Sequence, residues 1–257
     1  LGLIQYVVAR PRPEVKRDYS VSIVIPARNE KGNIENAVKR IPLFGAAQEI
    51  IFIEGHSTDG TLEEIKRVAG IYAGRRDIRW AVQKGKGKGD AVRLGFEMAQ
   101  GEILMILDAD LTVAPEDLPK FYRAIVSGRG EFINGSRLVY QLEKESMRFL
   151  NILGNKFFSL MFSWLLGQRI KDTLCGTKVL FKDDYEKIAA GRKYFGDFDP
   201  FGDFDLLFGA AKLNLKIVEM PVRYQARTYG GTNIQRWRHG WLLLKMTFFA
   251  IQKIKFN

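Results

Sequence analysis

The sequence has very little cysteine, histidine and proline. Its 257 residues include one cysteine, two histidines and eight prolines. The single cysteine, Cys175, excludes a disulfide framework and any multi-thiolate zinc site, and it is typical of a reducing compartment. The two histidines, His56 and His239, argue against a histidine-based metal site. We therefore interpret Cys175 as a small buried residue and His56 as a structural residue of a turn.

Long apolar runs are also absent. The most apolar segment near the C-terminus, residues 241–251, contains Lys245, and it is much shorter than the ~20 apolar residues that a membrane-spanning helix needs. The sequence therefore predicts no transmembrane helix. Hydrophobic residues still make up 46% of the chain, which is enough to build a sizeable core.

Acidic residues are scarce in two parts of the chain. Overall, 40 Lys and Arg residues face 29 Asp and Glu residues, for a net charge of +11. Residues 221–257 contain seven basic residues and no acidic one, and residues 146–171 contain four basic residues and no acidic one. Such an excess favours anionic partners. We expect no nucleic-acid partner, because the sequence contains no helix-turn-helix, RRM or zinc-finger pattern.

Short β-branched segments alternate with segments of helical periodicity. The predicted strands are residues 21–26, 49–54, 78–82, 103–107, 132–134 and 217–224. The predicted helices are residues 33–41, 61–69, 90–99, 115–126, 147–166, 201–212 and 236–254. This alternation predicts an α/β fold with a mainly parallel sheet, helices on both faces and C-terminal amphipathic helices.

Acidic residues follow three of the predicted strands. Glu30 follows the first strand, Glu54 ends the second, and Asp108 and Asp110 follow the fourth. Because ligands of such sheets bind beyond the carboxyl ends of the strands, we expect the four carboxylates to line one cleft. Two carboxylates at positions i and i+2 suit Mg²⁺ or Mn²⁺, which would neutralise charge on a leaving pyrophosphate. The alternative is that Asp108 and Asp110 cap the strand and a turn.

Lysine alternates with glycine in residues 84–89, directly before the third predicted helix. Glycine lets the backbone approach a ligand closely, and the N-terminus of a helix binds anions. The segment lacks the G-x-x-x-x-G-K-[ST] pattern of a P-loop. Lys88 is therefore a candidate for contact with a phosphorylated ligand, and a flexible solvated loop is the alternative.

Short motifs follow one another in a fixed order along the chain. They are VSIVIPARNE at 21–30, Glu54 with STDGT at 57–61, DAD at 108–110, GSR at 135–137, Asp172 before CG at 175–176, FDLL at 204–207, EMPV at 219–222 and RTYG at 227–230. This ordered set resembles family 2 glycosyltransferases with the GT-A fold, in the branch of dolichyl- or polyprenyl-phosphate mannosyl- and glucosyltransferases. We assign residues 20–235 to a GT-A domain, residues 1–19 to an extended lead-in and residues 236–257 to a basic amphipathic helix.

The resemblance implies a role for several positions. The residues it places at the nucleotide-sugar are Pro26, Ala27, Glu30, Glu54, Asp108, Ala109 and Asp110, with the metal on Asp108 and Asp110. It also implies that Arg137 and Arg227 hold phosphates. Residues 54–56 read Glu-Gly-His where the family usually has Asp-Asp-Gly, so the donor stays open between the GDP-mannose and UDP-glucose types.

The predicted function is an inverting, metal-dependent transfer of a hexose to a polyprenyl phosphate. A hydroxyl acceptor is the alternative, and it would need a general base, for which Asp203 and Asp205 are candidates. A non-catalytic nucleotide-sugar-binding protein is a third interpretation. The apolar residues 147–166 and the basic residues 236–254 suit peripheral contact with the cytoplasmic face of a membrane. The alternative is that both segments are core helices.

Overall fold

The computed structural model describes residues 9, 18–137, 149–192, 202–227, 229, 244–245, 247–248 and 251–252. The strands are β1 (Val21–Ala27), β2 (Gln48–Glu54), β3 (Asp77–Val82), β4 (Ile103–Ile106), β5 (Phe132–Ser136), β6 (Lys178–Phe181) and β7 (Ile217–Pro221). The α-helices are α1 (Lys31–Arg40), α2 (Thr61–Ile71), α3 (Lys88–Met98), α4 (Leu118–Val126), α5 (Phe149–Leu166), α6 (Lys182–Gly191) and α7 (Asp203–Lys212). A 3-10 turn, Pro115–Asp117, leads into α4.

The strands form one sheet in the order β3-β2-β1-β4-β6-β5-β7. β1, β2, β3 and β4 run parallel to one another, and β5 runs parallel to β7. β6 lies between β4 and β5 and is antiparallel to both. The prediction of a mainly parallel sheet is therefore confirmed, and β6 marks the point where its direction reverses.

The sequence prediction missed β6 and α6. β6 has four residues and begins with Lys178, whose side chain is fully buried. Because lysine is normally exposed, its presence in so short a segment masks the apolar pattern of a buried strand. The buried ammonium group is satisfied locally, since Lys178 Nζ donates a hydrogen bond of 2.5 Å to the carbonyl of Cys175. α6 buries only Tyr185 and Ile188, and so few apolar positions do not mark out a helical stripe.

Helices cover both faces of the sheet because both faces of its central strands are apolar. Along β1, Ile23 and Ile25 belong to a core that includes residues of α1, α2 and α4, whereas Val24 belongs to a core that includes residues of α3, α5, α6 and α7. β2 alternates in the same way. This near-continuous apolar sequence is typical of parallel strands that are buried on both sides.

The C-terminal part of the chain is described only in pieces. Residues 244–245, 247–248 and 251–252 have helical backbone, inside the helix predicted for residues 236–254. The other residues of the predicted C-terminal helix lie outside the described ranges, and so do most residues of the predicted lead-in, 1–19. In the part of the chain that the structure does describe, no helix is long and apolar enough to cross a bilayer.

Candidate active site

The predicted site residues lie at the carboxyl ends of β1, β2 and β4. Ala27 and Glu54 are aligned in the register of β1 and β2, and Asp108 follows the end of β4 by two residues. Pro26 and Ala27 form the last two positions of β1, and Ala109 is buried beside Asp108. The sheet therefore brings together the three acidic loops that the sequence placed on one edge.

Hydrogen bonds tie the loop after β1 to the loop after β2. The backbone N–H of Asn29 donates to Ser57 Oγ (3.0 Å), and the N–H of Thr58 donates back to Asn29 Oδ1 (2.8 Å). The N–H of Glu30 donates to Thr61 Oγ1 (2.9 Å), and the N–H of Ser57 donates to Glu54 Oε1 (2.5 Å). These contacts fix the backbone at the two strand ends before any ligand binds.

Left-handed backbone conformation is found directly after each of these three strands. Asn29, His56 and Leu111 have φ values of 56°, 58° and 54°. This conformation is disfavoured for residues with a Cβ atom, and it is found where the surrounding structure holds a functional loop in place. His56 therefore lies in a turn, as the sequence predicted.

Arg227 joins two of the acidic loops. Its Nη2 lies 2.6 Å from Asp110 Oδ2, and its Nη1 lies 3.2 Å from Glu30 Oε1. The other oxygen of Asp110, Oδ1, accepts hydrogen bonds from the N–H and the hydroxyl of Thr112. Three residues that the sequence singled out from distant positions thus meet in one cluster.

Burial raises the pKa of Glu30 from its ordinary 4.5 to about 7. A hydrogen bond from Asn33 Nδ2 (2.7 Å) and the charge of Arg227 oppose this rise, whereas the nearby carboxylates of Asp110 and Asp59 add to it. A carboxyl group with a pKa near neutrality in a cleft is typical of a functional site, although ion-pair networks produce such shifts as well.

Asp108 lies at the centre of a second cluster of charges. Lys88 Nζ is 2.6 Å from Asp108 Oδ1. Burial raises the pKa of Asp108, but the charges of Lys88, Lys178 and Arg137 outweigh it and hold the pKa below its ordinary value. A Cβ atom at Gly176 would overlap both Asp108 and Lys88, so the pair rests directly on the backbone of this glycine.

Arg137 is held by a fully buried carboxylate. Its Nε and Nη2 donate to the two oxygens of Asp172 at 2.7 and 2.8 Å, and its backbone N–H donates to Asp172 Oδ2 as well. The guanidinium carbon lies 5.2 Å from the centre of the Tyr224 ring. Asp172 therefore fixes the orientation of Arg137, whose predicted role is to hold a phosphate.

The two candidates for a general base are in different positions. Asp205 is buried on α7, where its Oδ2 lies 2.7 Å from Arg192 Nε and 3.6 Å from Arg93 Nη2. Both arginines thus contact the same carboxylate oxygen of Asp205. Asp203 begins α7, but its side chain lies outside the described part of the structure.

Asp108 and Asp110 have the chemistry of a site for a metal that arrives with a phosphorylated ligand. In the described ranges, no group of three or more His, Cys, Asp or Glu side chains could hold a metal ion alone. One or two carboxylates are what Mg²⁺ needs when phosphate oxygens and water complete its coordination. Each of the two carboxylates already contacts a cationic side chain, so the site accommodates positive charge.

Three residues at the site received no individual role in the sequence analysis. Asp172 orients Arg137, Gly176 supports the Asp108–Lys88 pair, and Tyr229 donates a hydrogen bond to Asp59 (3.3 Å). All three lie in motifs that carry the family resemblance. Their roles depend on contacts between segments far apart in the sequence, which the motifs alone do not show.

Comparison of the sequence with known proteins finds relatives over most of its length. It is 29% identical over 248 residues to the dolichol-phosphate mannosyltransferase of Pyrococcus furiosus, covering 92% of this chain and 67% of that protein. It is 28% identical to the glycosyltransferase AglJ of Haloferax volcanii, covering 87% of this chain and 69% of that protein. A shorter match of 31% identity reaches the undecaprenyl-phosphate 4-deoxy-4-formamido-L-arabinose transferase of Aeromonas hydrophila, over 42% of this chain and 34% of that protein.

Comparison of the fold finds solved GT-A glycosyltransferases. Glucosyl-3-phosphoglycerate synthase from Mycobacterium tuberculosis superposes with a TM-score of 0.65 at 16% identity, covering 96% of this chain and 86% of that one. That protein was crystallised with UDP and Mn²⁺, and also with UDP and Mg²⁺. This likeness shows the fold and confirms the predicted GT-A class. The profile of "Glycosyl transferase family 2" matches residues 22–188, and the chain is thus a glycosyltransferase that belongs to this family.

Proposed function

We propose that the chain transfers a hexose from a nucleotide-sugar to a polyprenyl phosphate, with inversion at the anomeric carbon and with a divalent metal ion. The observation that carries the proposal is the cluster of Glu30, Asp110 and Arg227 beside the Asp108–Lys88 pair, at the carboxyl ends of the strands. Acidic and basic groups alternate there, as recognition of a metal-bound diphosphate requires.

The donor binds in this proposal at the ends of β1, β2 and β4. Pro26, Ala27, Glu30 and Glu54 lie beside the nucleoside, where the cross-linked loops provide a rigid floor. Lys88, at the first position of α3, adds a cation and a helix N-terminus, both of which stabilise phosphate charge. The donor type, GDP-mannose or UDP-glucose, depends on contacts with the base.

Asp108 and Asp110 are the residues that would hold Mg²⁺ or Mn²⁺. When bound, the metal supplies positive charge that stabilises the departing nucleoside diphosphate. The chain's own residues position the reactants. Asp108 and Lys88 position the donor, and Arg227 and Arg137 bind the phosphates of the donor and the acceptor. An oxygen of the acceptor phosphate attacks the anomeric carbon, and the bond from that carbon to the diphosphate oxygen breaks on the opposite side.

A phosphate acceptor fits the site because it brings its own negative charge. Such an anion needs cations to hold it and no base to activate it. Asp205 is engaged by Arg192 and Arg93, which argues against its use as a base. The names of two relatives, the dolichol-phosphate mannosyltransferase and the undecaprenyl-phosphate 4-deoxy-4-formamido-L-arabinose transferase, contain a lipid phosphate, and this supports the same acceptor class.

An apolar surface supports a lipid acceptor and peripheral contact with the cytoplasmic face of a membrane. Phe157, Leu160 and Trp164 project from α5 at helical spacing and are all at least half exposed. Beside them lies an open groove of about 440 Å³, which is almost wholly apolar. Its lining residues are Phe157, Met161, Leu244, Lys245, Thr247, Phe248 and Ile251. We name the exposed α5 residues together with Leu244 and Phe248 the apolar patch.

A screen of donors against acceptors tests the proposed function. Purified protein is incubated with Mn²⁺, with UDP-glucose or GDP-mannose, and with a short-chain polyprenyl phosphate, the matching polyprenol or a simple saccharide. The expected result is a phosphodiester-linked glycolipid formed only with the polyprenyl phosphate, detected by mass spectrometry. Transfer to the polyprenol or the saccharide at an equal or greater rate would contradict the phosphate-acceptor assignment.

A further inference from the structure

The segment after β7 crosses all three strand-end loops. We name residues 224–227 together with Tyr229 the strap. At one end, Tyr224 forms an isolated β-bridge with Val113, and the N–H of Gln225 donates to the carbonyl of Thr112 at 2.9 Å. The start of the strap is therefore held at Thr112 and Val113, which follow closely after Asp110 in the sequence.

The far end of the strap rests on the first turn of α1 and on the loop after β2. The ring of Tyr229 lies so close to Gly32 that a Cβ atom at Gly32 would be only 2.5 Å from Tyr229 Cδ2. The hydroxyl of Tyr229 donates to Asp59 Oδ2 (3.3 Å), in the loop that follows β2. Between its two ends, the strap is thus stretched across the carboxylates of the site.

Arg227 holds the middle of the strap by charge. It contacts Asp110 and Glu30, whose side chains are only 12% and 8% exposed, and its own side chain is 28% exposed. A cation in this position relieves the repulsion between two largely buried carboxylates. It also occupies Asp110 Oδ2, an oxygen of the residue that we assign to the metal.

A guanidinium and a divalent cation compete for the same carboxylate. Like charges at contact distance repel strongly in a partly buried site, so the metal and Arg227 favour different arrangements of Asp110. Among the described contacts of the strap, the N–H of Gln225 donates to a backbone carbonyl and the hydroxyl of Tyr229 donates to the carboxylate of Asp59. A divalent ion at Asp110 competes directly with the contact that Arg227 makes there.

We propose that Arg227 is an exchangeable internal cation: it neutralises Asp110 and Glu30 while no donor is bound, and a divalent ion displaces it and frees the strap. The inference rests on the proposed metal-dependent function and adds that the position of the strap follows metal binding. The released guanidinium is then available to the phosphates of the donor. Arg227 therefore opposes metal binding and favours nucleotide binding.

The test measures these opposite effects without sugar transfer. The affinity for Mn²⁺ alone is measured by electron paramagnetic resonance for the wild type, for Arg227→Gln and for Arg223→Gln, a control that removes an exposed arginine just before the strap. We expect Arg227→Gln to bind Mn²⁺ roughly three- to tenfold more tightly, the scale of one partly exposed ion pair. The same variant should bind UDP or GDP with Mn²⁺ more weakly, and the control should match the wild type in both.

A second measurement uses the wild type alone and does not depend on a variant that folds. Hydrogen exchange of the amides of residues 224–227 should become faster when Mn²⁺ is added without nucleotide. Two results would overturn the displacement of Arg227 by the metal ion. One is an Mn²⁺ affinity of Arg227→Gln that is equal to or weaker than that of the wild type. The other is hydrogen exchange of the strap amides that does not change when Mn²⁺ is added.

The two proposals fail in different ways. If wild type and Arg227→Gln bind Mn²⁺ equally while the wild type still transfers sugar with Mn²⁺, the exchange is wrong and the proposed function stands. If the wild type binds no Mn²⁺ even with UDP or GDP present, the metal-dependent function is wrong and the exchange is wrong with it.

Discussion

Individual side chains in the site are paired with opposite charges before any ligand is present. Asp108 contacts Lys88, Asp110 contacts Arg227, and Arg137 contacts Asp172. These pairs differ in burial: Asp172 is fully buried, whereas Asp108 and Lys88 keep about a quarter of their side-chain surfaces exposed. Removing one partner of a buried pair is costly to folding, and removing one partner of an exposed pair costs little. We therefore expect Asp172 to matter mainly for stability. Asp110 is largely buried, but its partner Arg227 is partly exposed and also contacts Glu30, so we expect Asp110 to matter mainly for activity.

The first prediction concerns Asp110. Asp110→Asn removes a charge needed for metal binding but keeps an oxygen that can accept the hydrogen bonds from Thr112. We expect kcat/KM to fall at least roughly 100-fold, a typical loss when one electrostatic contact to the reaction is removed. The free energy of unfolding should change by only about 1 kcal/mol, because Arg227 is partly exposed and keeps Glu30 as a second partner. EDTA should abolish the activity of the wild type, and added Mn²⁺ should restore it.

A matched control for this substitution is Asp184→Asn, which removes one partner of the exposed Asp184–Lys187 pair on α6. It should leave both activity and stability unchanged. Full activity of the wild type in EDTA, or of Asp110→Asn with Mn²⁺, would show that Asp110 does not act through a metal.

The second prediction follows from the raised pKa of Glu30. Since the pKa is about 7 in the folded chain against an ordinary 4.5, the folded state binds the proton more tightly. Stability attributable to this group is therefore greatest below pH 4.5 and is lost as the pH rises to about 7. Glu30→Gln removes the titration and retains an oxygen that accepts from Asn33 Nδ2.

The measurement is thermal unfolding of Glu30→Gln and the wild type over a range of pH. The two proteins should have nearly equal Tm at pH 5. At pH 8 the variant should be more stable by on the order of 1–3 kcal/mol, where each 1 kcal/mol corresponds to about 2–4 °C for a chain of this size. A Tm difference that does not depend on pH would show that Glu30 titrates normally.

Whole elements of the fold were easier to predict from the sequence than their pairings. The strands that end in the site were predicted within one or two residues, because polar loops bound their apolar runs. Examples are the start of β1 at Val21 and the end of β2 at Glu54. β6 was missed because Lys178 stands in a four-residue strand that tertiary contacts bury. The same limit applies to the site: motifs located Asp110 and Arg227, but their contact joins residues 117 positions apart.

The third prediction concerns the packing of α3 on the sheet. α3 carries Lys88 at its start, and Gly95 lies where a Cβ atom would overlap the side chain of Val24 in β1. Gly95→Ala should therefore force the helix away from the strand, at a cost of about 1–3 kcal/mol typical of overpacking. The free energy of unfolding in urea measures this cost.

Gly70→Ala is the matched control, because Gly70 lies in α2 and a Cβ atom there would meet nothing within 4 Å. Alanine is the better helix former, so this variant should be more stable than the wild type by roughly 0.5–1 kcal/mol. Equal effects of the two substitutions would mean that close packing at Gly95 does not determine the position of α3.

The molecule as a whole combines a charged cleft with an apolar surface and an overall charge of +11. The charge attracts anionic lipids at a distance, and apolar side chains then add contact with the bilayer interface. This combination is what a peripheral enzyme needs in order to take its acceptor from a membrane. The alternative from the sequence, in which residues 147–166 and 236–254 are core helices, holds in part for the first of these segments. Phe158, Phe162 and Leu165 of α5 are buried in the core, whereas the apolar patch remains exposed.

The fourth prediction is that the apolar patch binds membranes. The wild type should sediment with vesicles of phosphatidylglycerol and phosphatidylcholine. Binding should weaken but not vanish between about 0.1 and 1 M salt, over which the Debye length falls from about 10 to 3 Å.

Leu160 in the patch and Leu43, between α1 and β2, are both 74% exposed, so replacing either by aspartate should affect folding equally little. Leu160→Asp should reduce binding at both salt concentrations because it places a charge on the surface that enters the interface, and Leu43→Asp should bind like the wild type. Equal binding of the two variants, or a wild type that does not bind vesicles at low salt, would show that the apolar patch does not contact membranes.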